Sequence, residues 1–311
     1  MLNTSYVLAR LLAADGPVSG EELARSLSVS RMTVSGYVES LRAGGFAVAS
    51  RTRTGYTLLD KDADVLSREA LEARLPDWTA EYHAVHPSTN TAAKAAAAAG
   101  ARGLLVAAGC QPEGRGRRGR SFASKEGGCY FSLVYTPTVP CDAAMRLTLA
   151  AGIAVATALR QCGATDVALK YPNDVWVSGK KICGILTETA SDGDTLEWAV
   201  TGIGINVRNE LPRGVAATSL AALGIAKPRA ALISEVTRAL QALWTVPPAA
   251  LLEAYRAFDV ITGRDVWIEK DNARTPAYAE KITENGYLQV RTEAGSALVS
   301  GADVSIRMHN S

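Results

Sequence analysis

Between two apolar runs, Leu104–Ala108 and Gly128–Tyr135, the chain carries Gly114-Arg115-Gly116-Arg117-Arg118-Gly119-Arg120. Glycines weaken helix and strand alike, and clustered guanidinium groups need water or anions around them. The segment is therefore a connection at the end of two buried strands. Gly114, Gly116 and Gly119 satisfy G-x-G-x-x-G, but a dinucleotide-binding turn needs a helix directly afterwards. Here the loop-like Ser121-Phe122-Ala123-Ser124-Lys125-Glu126-Gly127-Gly128 follows. Two readings remain: a basic nucleic-acid-binding loop, or a cover for anionic small molecules. Glycine lets backbone N–H groups approach a phosphate closely, and arginine grips carboxylate and phosphate oxygens in pairs. A reaction joining a carboxylate to a nucleoside triphosphate must bring two anions together. Such a loop neutralises both and closes over a reactive acyl phosphate.

Further segments carry polar groups at element ends. Pro87-Ser88-Thr89-Asn90 precedes an alanine-rich helix around Ala92–Ala99 and by itself reads as an N-cap. Lys170-Tyr171-Pro172-Asn173-Asp174 ends an apolar run and by itself reads as a turn. Lys180-Lys181-Ile182-Cys183-Gly184-Ile185-Leu186-Thr187-Glu188 is a strand with lysine at its start; Lys181 there is a point charge for an anionic site or a surface lysine. Gly202-Ile203-Gly204-Ile205-Asn206-Val207 is a strand whose glycines permit close approach of a ligand.

The N-terminal region has its own pattern. Val7, Leu8, Leu11 and Leu12 predict a helix over residues 4–14, stopped at Asp15-Gly16-Pro17. Ser19 and Glu22 predict a capping box opening a second helix. Ser30 caps a third, running to about Ala43, with Val34, Val38 and Leu41 inward. Arg31, Thr33, Ser35 and Arg42 stay outside. Phe46–Ser50 and Gly55–Leu58 are predicted strands joined by Arg51-Thr52-Arg53-Thr54. This is the plan of a winged helix-turn-helix, with Arg31, Thr33 and Ser35 at the recognition helix and Arg51 and Arg53 placed for phosphates. A protein-interaction module is the alternative. Residues 1–60 hold six basic residues (Arg10, Arg25, Arg31, Arg42, Arg51, Arg53) against five acidic (Asp15, Glu21, Glu22, Glu39, Asp60). One such domain binds DNA weakly, so a dimer on a two-part site is expected.

Composition narrows the remaining classes. The 311 residues are 48% hydrophobic and 21% charged with net charge +2, so ordinary globular cores are affordable and any basic patch is local. Cys110, Cys129, Cys141, Cys162 and Cys183 are odd in number and lack C-x-x-C spacing, which suggests reduced thiols in a cytoplasmic protein. His83 and His86, read as sharing a helix face, have no companion cluster for a metal. No signal peptide or membrane-spanning apolar run is read. Residues 211–222 are a small-residue loop suited to ordering over a base. Helices are predicted over 228–244 and 248–258. Strands follow at Asp265–Glu269, Pro276–Ile282, Leu288–Thr292 and Ala297–Ser300, with Asn285-Gly286 as a hairpin turn.

The order of these segments resembles the biotin–protein ligase family, and the preceding winged helix resembles its biotin-operon repressor subgroup. The resemblance covers nearly the whole chain and weakens after about residue 210. It implies an α+β architecture: a winged helix-turn-helix (1–62), a biotin/lipoate ligase-type catalytic domain with a mixed sheet (63–260), and a C-terminal SH3-like β-barrel (261–311). It implies that biotin and ATP are substrates with Mg, that biotinyl-5′-AMP forms, and that a lysine of a biotin carboxyl carrier protein receives the biotin. Ser88, Thr89, Asn90 and Gln111 would hold biotin; Arg115, Gly116 and Arg117 would cover carboxylate and phosphate; Lys181 would lie against both. Gly114, Arg118, Gly119, Arg120, Lys170, Asn173 and Asn206 would belong to the nucleotide and phosphate side. Asp174 would orient groups, help bind Mg or assist the acceptor's deprotonation. A homodimer bearing biotinyl-AMP would bind operator DNA, with no membrane partner. The family usually has Trp where this chain has Tyr171 and Phe122. Lipoate–protein ligases share the chemistry but lack this loop and winged helix, and a non-enzymatic biotin sensor would lack the charged loop or Lys181.

Overall fold

The computed structural model describes residues 3–137, 139–270, 273–300 and 305–308. It begins with α1 (Asn3–Ala13), α2 (Gly20–Leu27) and α3 (Arg31–Ala43), then the hairpin β1 (Val48–Arg51) and β2 (Gly55–Leu58). Val7, Leu8, Leu11, Leu23, Val34, Val38 and Leu41 are buried together, as their helical spacing requires. Ser30 caps α3 by accepting from Thr33 N at 3.0 Å. Ser19 caps α2, but the expected capping box is only half made, because the Glu22 carboxylate turns to Arg10. Arg51 ends β1 instead of lying in the turn. Gly55 is required where it stands: its φ is +111° and a Cβ would lie 2.1 Å from Val18 O, because Val18 and Tyr56 exchange backbone hydrogen bonds.

The central region contains α4 (Arg68–Glu72), β3 (Thr79–Val85), α5 (Thr89–Ala98), β4 (Leu104–Cys110), β5 (Cys129–Tyr135), α6 (Met145–Gln161), β6 (Val167–Lys170), β7 (Asp174–Val177), β8 (Lys180–Asp192), β9 (Thr195–Ile205), α7 (Arg229–Leu243) and α8 (Pro248–Arg256). The strands form one mixed sheet, ordered β3-β4-β5-β9-β8-β7-β6, with β3 and β4 parallel and the remaining pairs antiparallel. Alternation along β5 divides its faces: Ser132 and Val134 meet α5, while Leu133 and Tyr135 join the core containing α6 and α7. Ala93 and Ala97 are fully buried, and their small size lets α5 lie close on the strands. His83 lies in β3, not on the helix expected for it; its ring is 4.9 Å from that of His86. The segment 141–161 corrects another expectation. It is long and apolar enough on average to span a membrane, yet most of it is buried within the protein, against the sheet and α7.

Five antiparallel strands follow: β10 (Asp265–Lys270), β11 (Ala273–Ile282), β12 (Leu288–Thr292), β13 (Gly295–Val299) and β14 (Ser305–Met308), ordered β13-β12-β11-β10-β14. This arrangement is SH3-like. Asn285-Gly286 makes the predicted turn, with Gly286 at φ +85°; β14 was not anticipated.

Two polar junctions tie the winged helix and the segment after it to the sheet region. Ser5 donates to the buried Glu72 at 2.9 Å. Asp64 accepts from Arg229 N at 2.8 Å, pairs with the Arg229 guanidinium at 3.0 Å and also contacts Arg208. The Arg229 side chain is only 10% exposed, so removal of Asp64 leaves a charge short of both water and partner. Asp64→Ala is expected to lower stability by about 2–4 kcal/mol in urea unfolding. A change within about 0.5 kcal/mol, the range of ordinary surface substitutions, would mean that Arg229 re-solvates freely.

Candidate active site

The loop 111–124 is an ordered hairpin-like excursion. Gln111 N donates to Ser124 O at 2.9 Å, Phe122 N to Gly114 O at 2.8 Å and Gly116 N to Arg120 O at 2.7 Å. Residues 117–119 make one tight turn in which Arg118 adopts φ +55° and Gly119 φ +70°. Gly114 is held against Phe122 O and Ser124, where no Cβ fits.

Beneath this loop lies a cavity of about 210 Å³. Its walls come from the start of α5 (Ser88, Thr89, Asn90), Gln111, the loop residues Arg115–Arg118 and Arg120–Phe122, the β6–β7 turn (Lys170–Asp174), Lys181, strand residues 184–186 and 202–204, and Ile306 of β14. Gly184 and Gly204 pair across β8 and β9, and the Phe122 ring lies on both. A Cβ would stand 2.9 Å from that ring at residue 184 and 2.5 Å at residue 204.

The α5 side is a connected hydrogen-bond array. Ser88 caps the helix. Thr89 donates to Gln111 Oε1 through its backbone N at 2.7 Å and its hydroxyl at 3.1 Å, and Gln111 Nε2 donates to Ser124 Oγ at 3.0 Å. Ser132 Oγ lies 2.9 Å from Thr89 Oγ1 and 2.8 Å from Asn90 Oδ1. Asn90 Nδ2 donates to Leu186 O at 3.3 Å and Glu188 Oε2 at 2.8 Å, and Lys94 holds the other Glu188 oxygen at 2.7 Å. The sequence does not reveal Ser132 and Lys94, and it shows Glu188 in its strand without a role, because register across the sheet brings the three together.

The opposite side is charged. Lys181 Nζ is 2.6 Å from Asp174 Oδ1 and 5.7 Å from the Phe122 ring centroid. Arg117 Nη1 donates to Asn173 Oδ1 at 2.8 Å, and Asn173 is fixed in turn by Ile185. Burial pushes the Arg117 guanidinium pKa down, while neighbouring Asp174 opposes the shift. Lys170 Nζ lies 4.4 Å from the Trp176 ring centroid. Arg118 reaches Glu269 O of β10 at 3.3 Å. Six cationic side chains (Arg115, Arg117, Arg118, Arg120, Lys170, Lys181) and one carboxylate (Asp174) line the cavity, a balance that suits more than one anionic group.

Three expected residues stand outside this lining. Gly114 supports the loop from behind and Gly119 sits at its tip. Asn206 is buried behind Lys181: it donates to Thr218 O at 3.1 Å and accepts from Asn209 at 3.1 Å. Thr218 N donates to Lys181 O, and Lys181 N to Ala216 O, each at 2.9 Å. Asn206 thus steadies the 206–218 segment on which Lys181 rests. Cys129 and Cys183 are fully buried, and burial pushes both thiols well up, which removes them as nucleophiles. Among the described residues no cluster of three or more His, Cys, Asp or Glu is suited to a metal ion.

Tyr171 supplies a link that the sequence did not reveal. It lines the cavity, is 2% exposed, and its hydroxyl donates toward Gly286 O at 3.1 Å and Val299 O at 3.2 Å in the C-terminal sheet. Tyr171→Phe should cost about 1–1.5 kcal/mol in urea unfolding by orphaning those carbonyls; no change would mean that water replaces the hydroxyl.

In the N-terminal unit, Arg31 and Thr33 are exposed at the start of α3, Ser35 is half-buried, and Arg51 and Arg53 are exposed on the hairpin. The Thr33 hydroxyl is engaged by Ser30 at 2.8 Å.

Residues 82–206 match the biotin/lipoate A/B protein ligase family, and residues 3–57 match an HTH domain. The bifunctional ligase/repressor BirA of Bacillus subtilis is 29% identical over 306 residues, covering 93% of this chain and 94% of that protein. The biotin–[acetyl-CoA-carboxylase] ligase of Mycobacterium tuberculosis is 35% identical over 231 residues, covering 70% of this chain and 85% of that protein. Among solved structures, the biotin protein ligase from Aquifex aeolicus in complex with biotin and ATP aligns at TM-score 0.60 and 26% identity, over 74% of this chain and 98% of that one. With the loop, the glycine floor and the attached helix-turn-helix in place, these likenesses establish that the chain belongs to the biotin–protein ligase family.

Proposed function

We propose that this ligase adenylates biotin and transfers it to a lysine of a biotin carboxyl carrier protein, and that its biotinyl-AMP-bound homodimer represses biotin-synthesis genes at an operator. The observation that carries the reading is the cavity itself: a glycine floor under an arginine loop, with six cationic side chains against one carboxylate. The biotin carboxylate oxygen attacks the α-phosphorus of ATP, the α–β phosphoanhydride bond breaks and pyrophosphate leaves. The carrier amine then attacks the acyl carbon, the acyl–phosphate bond breaks, AMP leaves with that electron pair, and the nitrogen gives up a proton to solvent to leave the neutral amide.

Ser88, Thr89, Asn90 and Gln111 bind biotin, the last three also through the array that fixes them. Arg115, Gly116 and Arg117 cover the carboxylate and α-phosphate. Lys181 stabilises the charge that builds between them, held by Asp174. Gly114, Gly119 and Asn206 shape the phosphate side from outside the cavity, and Arg118, Arg120, Lys170 and Asn173 act from its wall. Asp174 is the cavity's carboxylate, so Mg entering with ATP would take it as a protein ligand beside the phosphates, neutralising phosphate charge. Arg31, Thr33, Ser35, Arg51 and Arg53 are proposed DNA contacts, Thr33 through whatever its capping bond leaves available. The proposed units are 1–62, 63–260 and 261–311, in a cytoplasmic protein without a membrane partner.

ATP–pyrophosphate exchange with biotin or lipoate as the acid tests the chemistry. Exchange with biotin alone supports it. Exchange with lipoate overturns the substrate, and biotin binding without exchange points to a sensor. Retention of a biotin-operon fragment only with biotin and ATP present supports repression, and no retention removes that part.

A further inference from the structure

We propose that Glu188, held by Lys94, is a positioning residue for biotin: it turns the Asn90 amide so that only its oxygen is left for a ligand. This rests on the biotin-binding reading above. Neither Glu188 nor Lys94 lines the glycine-floored cavity, whereas Asn90 does. The pair therefore reaches a ligand through Asn90. Asn90 and Lys94 stand one turn apart on α5, so both meet the same carboxylate on β8. Asn90 Nδ2 donates to Glu188 Oε2 at 2.8 Å, and Lys94 Nζ donates to Oε1 at 2.7 Å, which fixes the carboxylate's place and rotation.

The two ends of an asparagine amide have nearly the same shape, so the surrounding partners decide which way it points. Ser132 does not decide, because a hydroxyl both donates and accepts. Leu186 O and the Glu188 carboxylate accept only, and they take both N–H groups of Nδ2. The Leu186 bond is the longer, at 3.3 Å, so Glu188 carries most of the choice. With both N–H groups spent, Asn90 has one function to offer an occupant: the lone pair of Oδ1 that Ser132 does not use.

Oδ1 stands on the cavity side of the sheet. An added Cβ at residue 202 would lie 1.9 Å from it, and residues 202 and 204 point to one face of β9. That face carries the Phe122 ring over Gly204, and Phe122 lines the cavity. A head group with an N–H, such as the ureido ring of biotin, gains a bond there. A head without one, such as the dithiolane of lipoate, leaves the oxygen unpaired and is disfavoured. The ion pair adds little to folding, because both side chains are partly exposed.

Isothermal titration of biotin into the full chain, with urea unfolding and ATP–pyrophosphate exchange on the same variants, tests the proposal. Glu188→Met removes the acceptor at similar length. It should weaken biotin by about tenfold, while kcat for exchange at saturating biotin stays within about threefold of the parent. Glu188→Gln keeps an oxygen for the Asn90 N–H, and its affinity should stay within about threefold of the parent. Lys94→Glu sets a like charge against Glu188 and drives it off Asn90. It should also weaken biotin by about tenfold, and it is the independent variant if Glu188→Met does not fold. If the parent binds no biotin, the functional reading falls and the proposal with it. The proposal alone is overturned if the parent binds biotin and a folded Glu188→Met or Lys94→Glu matches it. It is equally overturned if Glu188→Gln is as weak as Glu188→Met, or if kcat falls together with affinity.

Discussion

Lys181→Ala is expected to reduce biotin-dependent ATP–pyrophosphate exchange by about 10²–10³-fold, the range for loss of one preorganised donor to developing charge. The position explains the size. Lys181 enters β8 at the cavity edge, 2.6 Å from Asp174 and beside the Phe122 ring. Its backbone is clamped on both sides by residues 216 and 218. The ammonium is therefore presented at a fixed place, and little reorganisation is required when charge develops. The ion pair itself contributes little to folding, about 0–1 kcal/mol, because both side chains are partly exposed, at 29% and 23%. A large loss of exchange with a small loss of stability is thus the signature. Asp174→Ala should also slow exchange, and the double variant should lose much less than the product of the single effects, since the two groups act as one unit. Exchange within about threefold of the parent, below 1 kcal/mol of barrier, would remove Lys181 from the chemistry.

Much of this was legible because the signals are local. Ser30 and Ser88 announce helix starts by chemistry acting within one turn. The loop at 114–120 declares its need for anions in its own composition. The glycines at 202 and 204 marked a place of close approach, but not what approaches. The structure supplies two occupants of different kinds: Phe122 over Gly184 and Gly204, and Asn90 against Gly202. Those partners come from β-sheet register and from a loop folding back, neither of which leaves a periodic trace. Helix α6 was not read for a related reason. It is buried on nearly all sides, so it shows no amphipathic stripe and passes for a membrane segment by composition. The family resemblance puts Asn206 on the nucleotide and phosphate side; its side chain instead turns back to Thr218 and Asn209. Tyr171 lines the cavity, while its hydroxyl's partners lie more than a hundred residues away.

Gly202→Ala should weaken biotin binding by about 100-fold or more, corresponding to about 3 kcal/mol. An added Cβ would lie 1.9 Å from Asn90 Oδ1 and 2.7 Å from its Cγ, distances that force a displacement. Asn90 has little room to yield. It is 4% exposed, and its amide is held by Ser132, Leu186 O and Glu188. Moving it breaks several bonds, disturbs Thr89 through Ser132, and reaches Gln111 through Thr89. The cost therefore spreads over the whole α5 side of the cavity. Asn90→Ala removes the clash together with the bonds, so Gly202→Ala added to Asn90→Ala should cost little more, within about 0.5 kcal/mol. Isothermal titration of biotin into the parent, the two single variants and the double variant measures this coupling. Additive losses would mean that residue 202 acts through the strand backbone or the ligand itself and not through Asn90. Near-parental affinity of Gly202→Ala would mean that the array slides as a body, and that the approach of β9 to α5 is looser than its hydrogen bonds imply.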